Sequence, residues 1–69
     1  MDKSEIINVL RNHGYTNIQE KRGGVEVTAE RRTASYEFDS SDFVRIFAGR
    51  MDLKSIHMLD SWTVSIECE

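Results

Sequence analysis

The tail WTVSIECE, residues 62–69, alternates between apolar and polar residues, and this pattern limits the fold more than any other feature of the chain. Successive side chains of a β-strand point to opposite faces, so the alternation predicts a half-buried strand. The segment GVEVTAERRTASYEFD, residues 24–39, alternates in a similar way around Val25, Val27, Tyr36 and Phe38. Each such strand would expose one polar face and bury one apolar face. The chain must therefore supply other elements that cover the apolar side.

Three strands are predicted to form a meander over residues 16–21, 25–30 and 34–38. Gly23 and Gly24 stand between the first two, where a tight hairpin turn needs the positive φ angles that glycine adopts readily. The segment ERRTA then turns the chain into the third strand. Because these connections are too short for a parallel crossover, we expect antiparallel pairing.

A helix is predicted over residues 3–13, within DKSEIINVLRNHGY. Asp2 and Glu5 match a D-x-x-E capping pattern, in which the first side chain accepts a hydrogen bond from a backbone N–H of the first turn. Apolar residues follow at helical spacing. Gly14 can adopt the left-handed conformation that ends a helix.

A second helix is predicted in DSSDFVRIFAGR, residues 39–50, before Gly49 ends it. Its favourable N-caps are Asp39, Ser40 and Ser41. The next segment, MDLKSIHML, residues 51–59, fits either a helical turn or a strand. We favour a strand that pairs with the tail through a turn near Asp60 and Ser61.

These elements predict one domain, residues 1–69, of the α+β class. It is a two-layer sandwich: an antiparallel sheet of four or five strands carries two helices on one face, in the order α-β-β-β-α-(β)-β. The core is predicted to draw on both layers: Ile6, Leu10, Phe43, Ile46 and Phe47 from the helices, and Val25, Val27, Tyr36, Phe38, Trp62, Val64 and Ile66 from the strands.

Charge and cysteine content bound the class of protein. The 69 residues include 12 acidic and 9 basic side chains, for a net charge of −3, whereas a duplex-binding module usually carries a basic stripe. The single cysteine, Cys68, excludes an intramolecular disulfide and fits a reducing compartment. The N-terminus does not match a secretory signal, and no apolar run is long enough to span a bilayer. We therefore expect a cytoplasmic protein without a membrane partner.

Catalytic chemistry has few candidate residues. Cys68, the one thiol, falls in phase with the buried face of its strand, where a nucleophile would be inaccessible. His13 lies near the end of the first helix, and His57 faces away from its apolar neighbours. Neither histidine has a partner at metal-ligand spacing. The sequence thus predicts a protein that is not an enzyme and has no metal or cofactor.

Basic residues form two pairs, Lys21-Arg22 and Arg31-Arg32, which fall in successive turns of the meander. Successive turns lie at opposite ends of a sheet, so the pairs should not merge into one patch. The aromatic residues Tyr36, Phe38 and Trp62 are predicted to point inward and would not stack on bases. Direct nucleic-acid binding is therefore disfavoured. A small regulatory or nucleic-acid-binding module, with Arg31 and Arg32 as contacts, remains the alternative.

Acidic residues follow the polar side of the predicted sheet. Glu26 and Glu30 fall on one strand and Glu37 on its neighbour, and Glu67 joins them if the last strand pairs alongside. The face is either a solvated surface or a docking surface for a larger basic protein or nucleoprotein complex, for which charge complementarity raises the association rate and the selectivity.

Self-association is a further alternative. The apolar residues Val44, Met51, Leu53 and Met58 have no assigned place in the predicted core, and a homodimer could bury them.

The order helix, three-strand meander, helix in a small acidic chain resembles the anti-CRISPR proteins of bacterial phages. The likeness is closest where the opening helix runs into NHGYT, residues 12–16, and it extends over residues 1–50. It implies an inhibitor that occupies the DNA-binding groove of a nuclease with acidic side chains. It assigns a role to no individual residue.

Overall fold

A computed structural model describes residues 1–50 and 52–68. In chain order its elements are α1 (Lys3–Asn12), β1 (Ile18–Lys21), β2 (Gly24–Thr28), a 3-10 turn (Ala34–Tyr36), α2 (Ser40–Ile46), β3 (Leu53–Asp60) and β4 (Thr63–Cys68). The two helices and the four-stranded antiparallel sheet confirm the predicted α+β class. None of the helices in the described residues is long and apolar enough to cross a membrane.

The strands lie side by side in the order β1-β2-β4-β3. The last strand is therefore central: Val64 on β4 stands opposite Val27 on β2 and also opposite Met58 on β3. The predicted tail strand is confirmed, and so is the strand favoured for the ambiguous segment before it. The two pair through a turn at Ser61 and Trp62.

The strand predicted over residues 34–38 is wrong. Ala34–Tyr36 forms a 3-10 turn, closed by a 3.0 Å hydrogen bond from the Tyr36 N–H to the carbonyl of Thr33. The place beside β2 is taken by β4, whose alternation matches that of β2 over the whole length of β2. The predicted meander is therefore a two-stranded hairpin, and the N–H of Phe38 donates to the carbonyl of Ser61 in the β3–β4 turn at 2.8 Å.

The first helix ends as its caps predict. The Glu5 N–H donates to Oδ1 of Asp2 at 2.9 Å, which satisfies one of the N–H groups left open in the first turn. At the other end Gly14 has a φ of 93°, and the Tyr15 N–H bonds to the Leu10 carbonyl. This is the pattern of a Schellman cap.

The second helix also begins at an aspartate N-cap, and a glycine with a positive φ follows its C-cap, Phe47. Ser41 donates its N–H to Oδ1 of Asp39 at 3.0 Å, and Gly49 follows the helix with a φ of 82°. Because both ends are satisfied by local residues, this short helix keeps its apolar side free to pack.

Both helices cover the same face of the sheet. The core joins Ile6 and Leu10 of α1, Phe43 of α2 and the adjoining Phe47 to Val25, Val27, Val64 and Ile66 of the central strands. Three aromatic residues predicted for this core lie elsewhere. Tyr36 is exposed, while Phe38 and Trp62 are half-buried at its margin. They leave the interior because residues 34–38 are not a strand and Trp62 stands in the β3–β4 turn.

Both edges of the sheet are poor templates for further strand pairing. β1 has four residues, and Glu20 stands exposed on its helix-facing side, opposite Val25. On β3, two register shifts leave Lys54 and Leu59 without a partner on β4. Short edges, inward charges and bulges each discourage edge-to-edge association.

Candidate protein-binding surface

The face of the sheet opposite the helices is polar and is called the outer face below. Its residues alternate along each strand with those that point to the core. They are Gln19 and Lys21 of β1, Gly24, Glu26 and Thr28 of β2, Thr63, Ser65 and Glu67 of β4, and Ser55, His57 and Asp60 of β3. On the two central strands most of the uncharged outer-face residues have small hydroxyl side chains. The charged side chains therefore project beyond their neighbours.

Glu26 lies in the middle of the outer face. It stands opposite Gln19 on one neighbouring strand and opposite Ser65 on the other. Its side chain is half-buried between these small polar neighbours. Within residues 1–50 and 52–68 it makes no ion pair. A carboxylate is thus held in place by the sheet without a cation of its own.

Glu67 lies on the adjacent central strand, opposite Gly24 and Ser55. Its Oε1 stands 2.8 Å from Nε2 of His57. Gly24 has no side chain, so a shallow depression of about 320 Å³ opens beside Glu67, bordered by Lys21 on β1. The outer face therefore carries two glutamates on neighbouring strands, together with an imidazole and an amine.

The other two predicted acidic residues lie off this face. Glu30 follows the end of β2, and Glu37 caps the 3-10 turn; both are exposed. The prediction that all four glutamates share one face is wrong for these two, because it depended on strands reaching residue 30 and covering residues 34–38. Glu30 and Glu37 belong instead to the loop that joins β2 to α2.

The basic pairs lie at opposite ends of the sheet, as predicted. Lys21 pairs with Gly24 at the β1–β2 turn, whereas Arg31 and Arg32 follow the far end of β2. Arg32 is already engaged, since its Nη1 lies 3.2 Å from Oδ2 of Asp60. Arg31 is exposed and, among the described residues, makes no ion pair.

Trp62 fastens the loop to the β3–β4 turn. Its indole Nε1–H donates to the Thr33 carbonyl at 2.9 Å, and its ring lies 5.8 Å from the guanidinium carbon of Arg32. The backbone N–H of Trp62 donates to Oδ1 of Asp60. This bond lowers the pKa of the Asp60 carboxyl, and the weaker contribution of the hydrogen bond from Arg32 acts in the same direction. These contacts fix the position of the loop relative to the sheet.

A groove opens between this loop and the connection from α1 to β1. It has a volume of about 190 Å³, and its walls include Tyr15, Asn17, Glu30, Tyr36 and Phe38. Tyr36 is 39% exposed. The sequence did not predict this groove, because the alternation of residues 34–38 placed Tyr36 inside the core.

A second groove, of about 250 Å³, lies between the end of α1 and the side of α2. His13, Tyr15, Asp42 and Arg45 are among the residues that line it. The pKa of the Tyr15 hydroxyl is raised, chiefly because burial disfavours the charged form and further because Asp42 is negative. Asp42 and Arg45 are themselves 3.8 Å apart, so the charges within this groove largely offset one another.

The residues weighed for catalysis lie apart. His13 is exposed at the end of α1, and His57 contacts Glu67 on the outer face. Cys68 is a half-buried free thiol opposite Leu53. Across the part of the chain that the structure describes, no group of three or more histidine, cysteine or acidic residues could hold a metal ion.

The apolar residues considered for self-association have different positions. Leu53 and Met58 pack against the core, so they are not spare as the sequence suggested. Val44 is 57% exposed on α2, and Leu59 is 57% exposed on β3. Met51 lies outside the described residues.

Comparisons of the chain with protein-family models, with curated proteins and with solved structures found no match.

Proposed function

We propose that this chain is a non-enzymatic interaction protein that binds a larger basic protein or nucleoprotein complex through the outer face of its sheet. The observation that carries the proposal is the placement of Glu26 and Glu67 on two neighbouring central strands, on the face that both helices leave free. Carboxylates on central strands are held more rigidly than carboxylates on loops, and rigid groups lose less freedom when a partner binds.

The local charge supports a basic partner. Among the described residues Glu26 makes no ion pair, and Glu67 makes one, with the imidazole of His57. The net charge of the whole chain, −3, is negative like these two carboxylates. Arginine or lysine side chains of a partner could therefore approach Glu26 without displacing a cation that is already paired with it, and the long-range field would speed the encounter.

The proposed class of partner comes from the sequence resemblance of residues 1–50 to phage anti-CRISPR proteins, of which the structure retains both helices and the β1–β2 hairpin but not the third strand. A chain of that kind would inhibit a nucleic-acid-handling complex by occupying its basic groove. Purified CRISPR nucleases provide a direct assay, in which increasing amounts of the chain should reduce cleavage of a target DNA.

Two charge reversals test the site. Glu26→Lys changes the outer face, while Glu20→Lys makes the same charge change on the adjacent strand but on the opposite side of the sheet. Each variant is immobilised and used to capture proteins from bacterial lysate at low and at high salt. We expect the wild type and Glu20→Lys to retain one basic protein at low salt and to lose it at high salt, and Glu26→Lys to lose it at both.

Equal capture by Glu26→Lys and Glu20→Lys would exclude the outer face as the binding site. Circular dichroism of both variants establishes that each is folded, so a loss of binding is not confused with unfolding.

The second candidate function is a small nucleic-acid-binding module. The exposure of Tyr36 and Arg31 in the same loop favours it, because an exposed aromatic ring can stack on a base and a basic side chain can contact a phosphate. The engagement of Arg32 with Asp60 weighs against it. A gel shift at low salt with single-stranded and duplex probes separates the two candidates: the interaction protein leaves both probes unshifted at micromolar concentration.

A further inference from the structure

The groove between the β2–α2 loop and the α1–β1 connection combines an aromatic wall with one carboxylate. Tyr36 supplies an exposed ring. Tyr15 and Phe38 also line the groove, and the centroids of their two rings lie 5.9 Å apart. Glu30 lies on the rim of the same groove and is exposed. No ion pair engages Glu30 among residues 1–50 and 52–68.

The size of the groove limits what can occupy it. Its volume of about 190 Å³ is below the roughly 300–1,000 Å³ of typical small-molecule sites. It has room for one long side chain. A cation near an aromatic face is attracted by the ring, and a guanidinium can at the same time make paired hydrogen bonds to a carboxylate.

The same chain already holds one arginine in this way. The guanidinium of Arg32 lies over the ring of Trp62, at 5.8 Å from its centroid, and contacts the carboxylate of Asp60 at 3.2 Å. In the groove, Tyr36 and Glu30 provide the same two kinds of group, a ring and a carboxylate. No arginine of the described chain is paired with that carboxylate.

We propose that this groove seats a single arginine side chain of the basic partner, with its guanidinium against Tyr36 and paired to Glu30. The inference rests on the proposed function, because it assigns an anchoring contact to the same partner. It also explains how a partner that covers the outer face gains selectivity: the anchor lies at the end of the sheet, next to Thr28, which belongs to both surfaces.

A peptide probe tests the groove without the partner. Acetyl-Gly-Arg-Gly-amide is titrated into the isotopically labelled chain and followed by amide chemical shifts, and a peptide with citrulline in place of arginine serves as the neutral control. We expect shifts confined to residues 14–17, 28–30 and 36–38, and none from the citrulline peptide.

Variants assign the two contacts. Glu30→Gln should weaken arginine-peptide binding roughly fivefold, and Tyr36→Ala should weaken it by about as much, whereas Tyr36→Phe should retain it. Glu37→Gln is the matched control, because Glu37 is an exposed glutamate of the same loop outside the groove walls.

Failure of this inference differs from failure of the proposed function. If the peptide shifts no groove residue, or if the citrulline peptide binds equally well, the groove is not an arginine site, even if Glu26→Lys still abolishes partner capture. If an oligonucleotide shifts the groove residues and the arginine peptide does not, the inference is also overturned. Peptide binding with unchanged partner capture by Glu26→Lys would support the groove and exclude the outer face.

Discussion

Gly24 and Ile66 lie in such close contact that a Cβ atom on Gly24 would overlap the carbonyl oxygen of Ile66 and would lie 2.8 Å from Cα of Glu67. Gly23, the preceding residue, has open space around its Cβ position. Neither glycine adopts a positive φ, since Gly14 and Gly49 are the two glycines of the described chain that do. The hairpin therefore needs glycine at position 24 and not at position 23. The reason is the close approach of β4, not the backbone angles of the turn.

Gly24→Ala is expected to destabilise the fold by roughly 3 kcal/mol, because the added methyl group meets backbone atoms that cannot rotate away. Gly23→Ala should change the free energy of unfolding by less than about 0.5 kcal/mol. Urea denaturation of the two variants measures the difference. Equal stabilities would mean that β2 and β4 are not in the contact described.

Phe43→Ala should remove a large part of the stability of the domain. The Phe43 side chain is fully buried, and its ring lies 4.9 Å from that of Tyr15 and 5.2 Å from that of Phe38. Loss of a buried phenylalanine costs about 3–5 kcal/mol, while a domain of this length has a total stability of only about 3–10 kcal/mol.

The neighbouring substitution Val44→Ala is the control, because Val44 is mostly exposed. It should retain the circular dichroism spectrum and the thermal midpoint of the wild type. A Phe43→Ala variant with the thermal midpoint of the wild type would contradict the position of α2 over the sheet.

Trp62→Phe should loosen the loop after β2. It removes the indole N–H that donates to the Thr33 carbonyl, a loss of about 1 kcal/mol. Hydrogen exchange of the amides of residues 33–38 should accelerate relative to those of β4. Arg32→Gln is expected to have little effect on the free energy of unfolding or on the exchange rates, because the Arg32–Asp60 pair is exposed. Unchanged exchange in the Trp62 variant would show that the indole does not hold the loop.

Asp39→Ala should lower the thermal midpoint at neutral pH and have little effect in acid. Hydrogen bonds from the Ser41 N–H and then from its hydroxyl hold the pKa of the Asp39 carboxyl below its ordinary value. The ionised form therefore stabilises the fold above about pH 4, the unfolded pKa, and this contribution is lost as the pH falls through the folded pKa. Melting curves of both proteins between pH 7 and pH 2 should converge at the acid end; a constant difference would show that the charge of Asp39 is immaterial.

Glu20→Val should make the chain self-associate. Glu20 is the exposed charge on the helix-facing side of edge strand β1, and a valine there would extend the apolar surface to the edge. Sedimentation should show one chain per particle for the wild type and for Glu20→Lys, and a mass that rises with concentration for Glu20→Val. A wild type that dimerises would instead favour the exposed Val44 or Leu59 as contacts.

The parts of the fold that local chemistry determines could be predicted from the sequence. Asp2, Gly14 and Asp39 cap helices through bonds to residues a few positions away, and each forms as expected. Strand order depends instead on competition between distant segments. Apolar and polar residues alternate both in residues 34–38 and in β4, so either segment could pair with β2. Packing of the whole chain decides that β4 does so.

In the candidate site, too, the residues on regular strands could be predicted from the sequence and the residues in the loop could not. Glu26 and Glu67 lie on the outer face because alternation along a formed strand requires it. Glu30 and Glu37 were misplaced because their strands end early or do not form. The exposure of Tyr36 follows from the 3-10 turn, and the alternation of its segment carried no indication of that turn.

The central position of β4 determines when the protein can fold. The β1–β2 hairpin and both helices precede residues 63–68 in the chain, yet Val64 and Ile66 complete the core against them. During synthesis these earlier segments leave the ribosome without the strand that joins them, and contacts between distant segments form slowly. We therefore expect the sheet to close only after residues 63–68 have been synthesised, and until then Val25 and Val27 lack the strand that pairs with them.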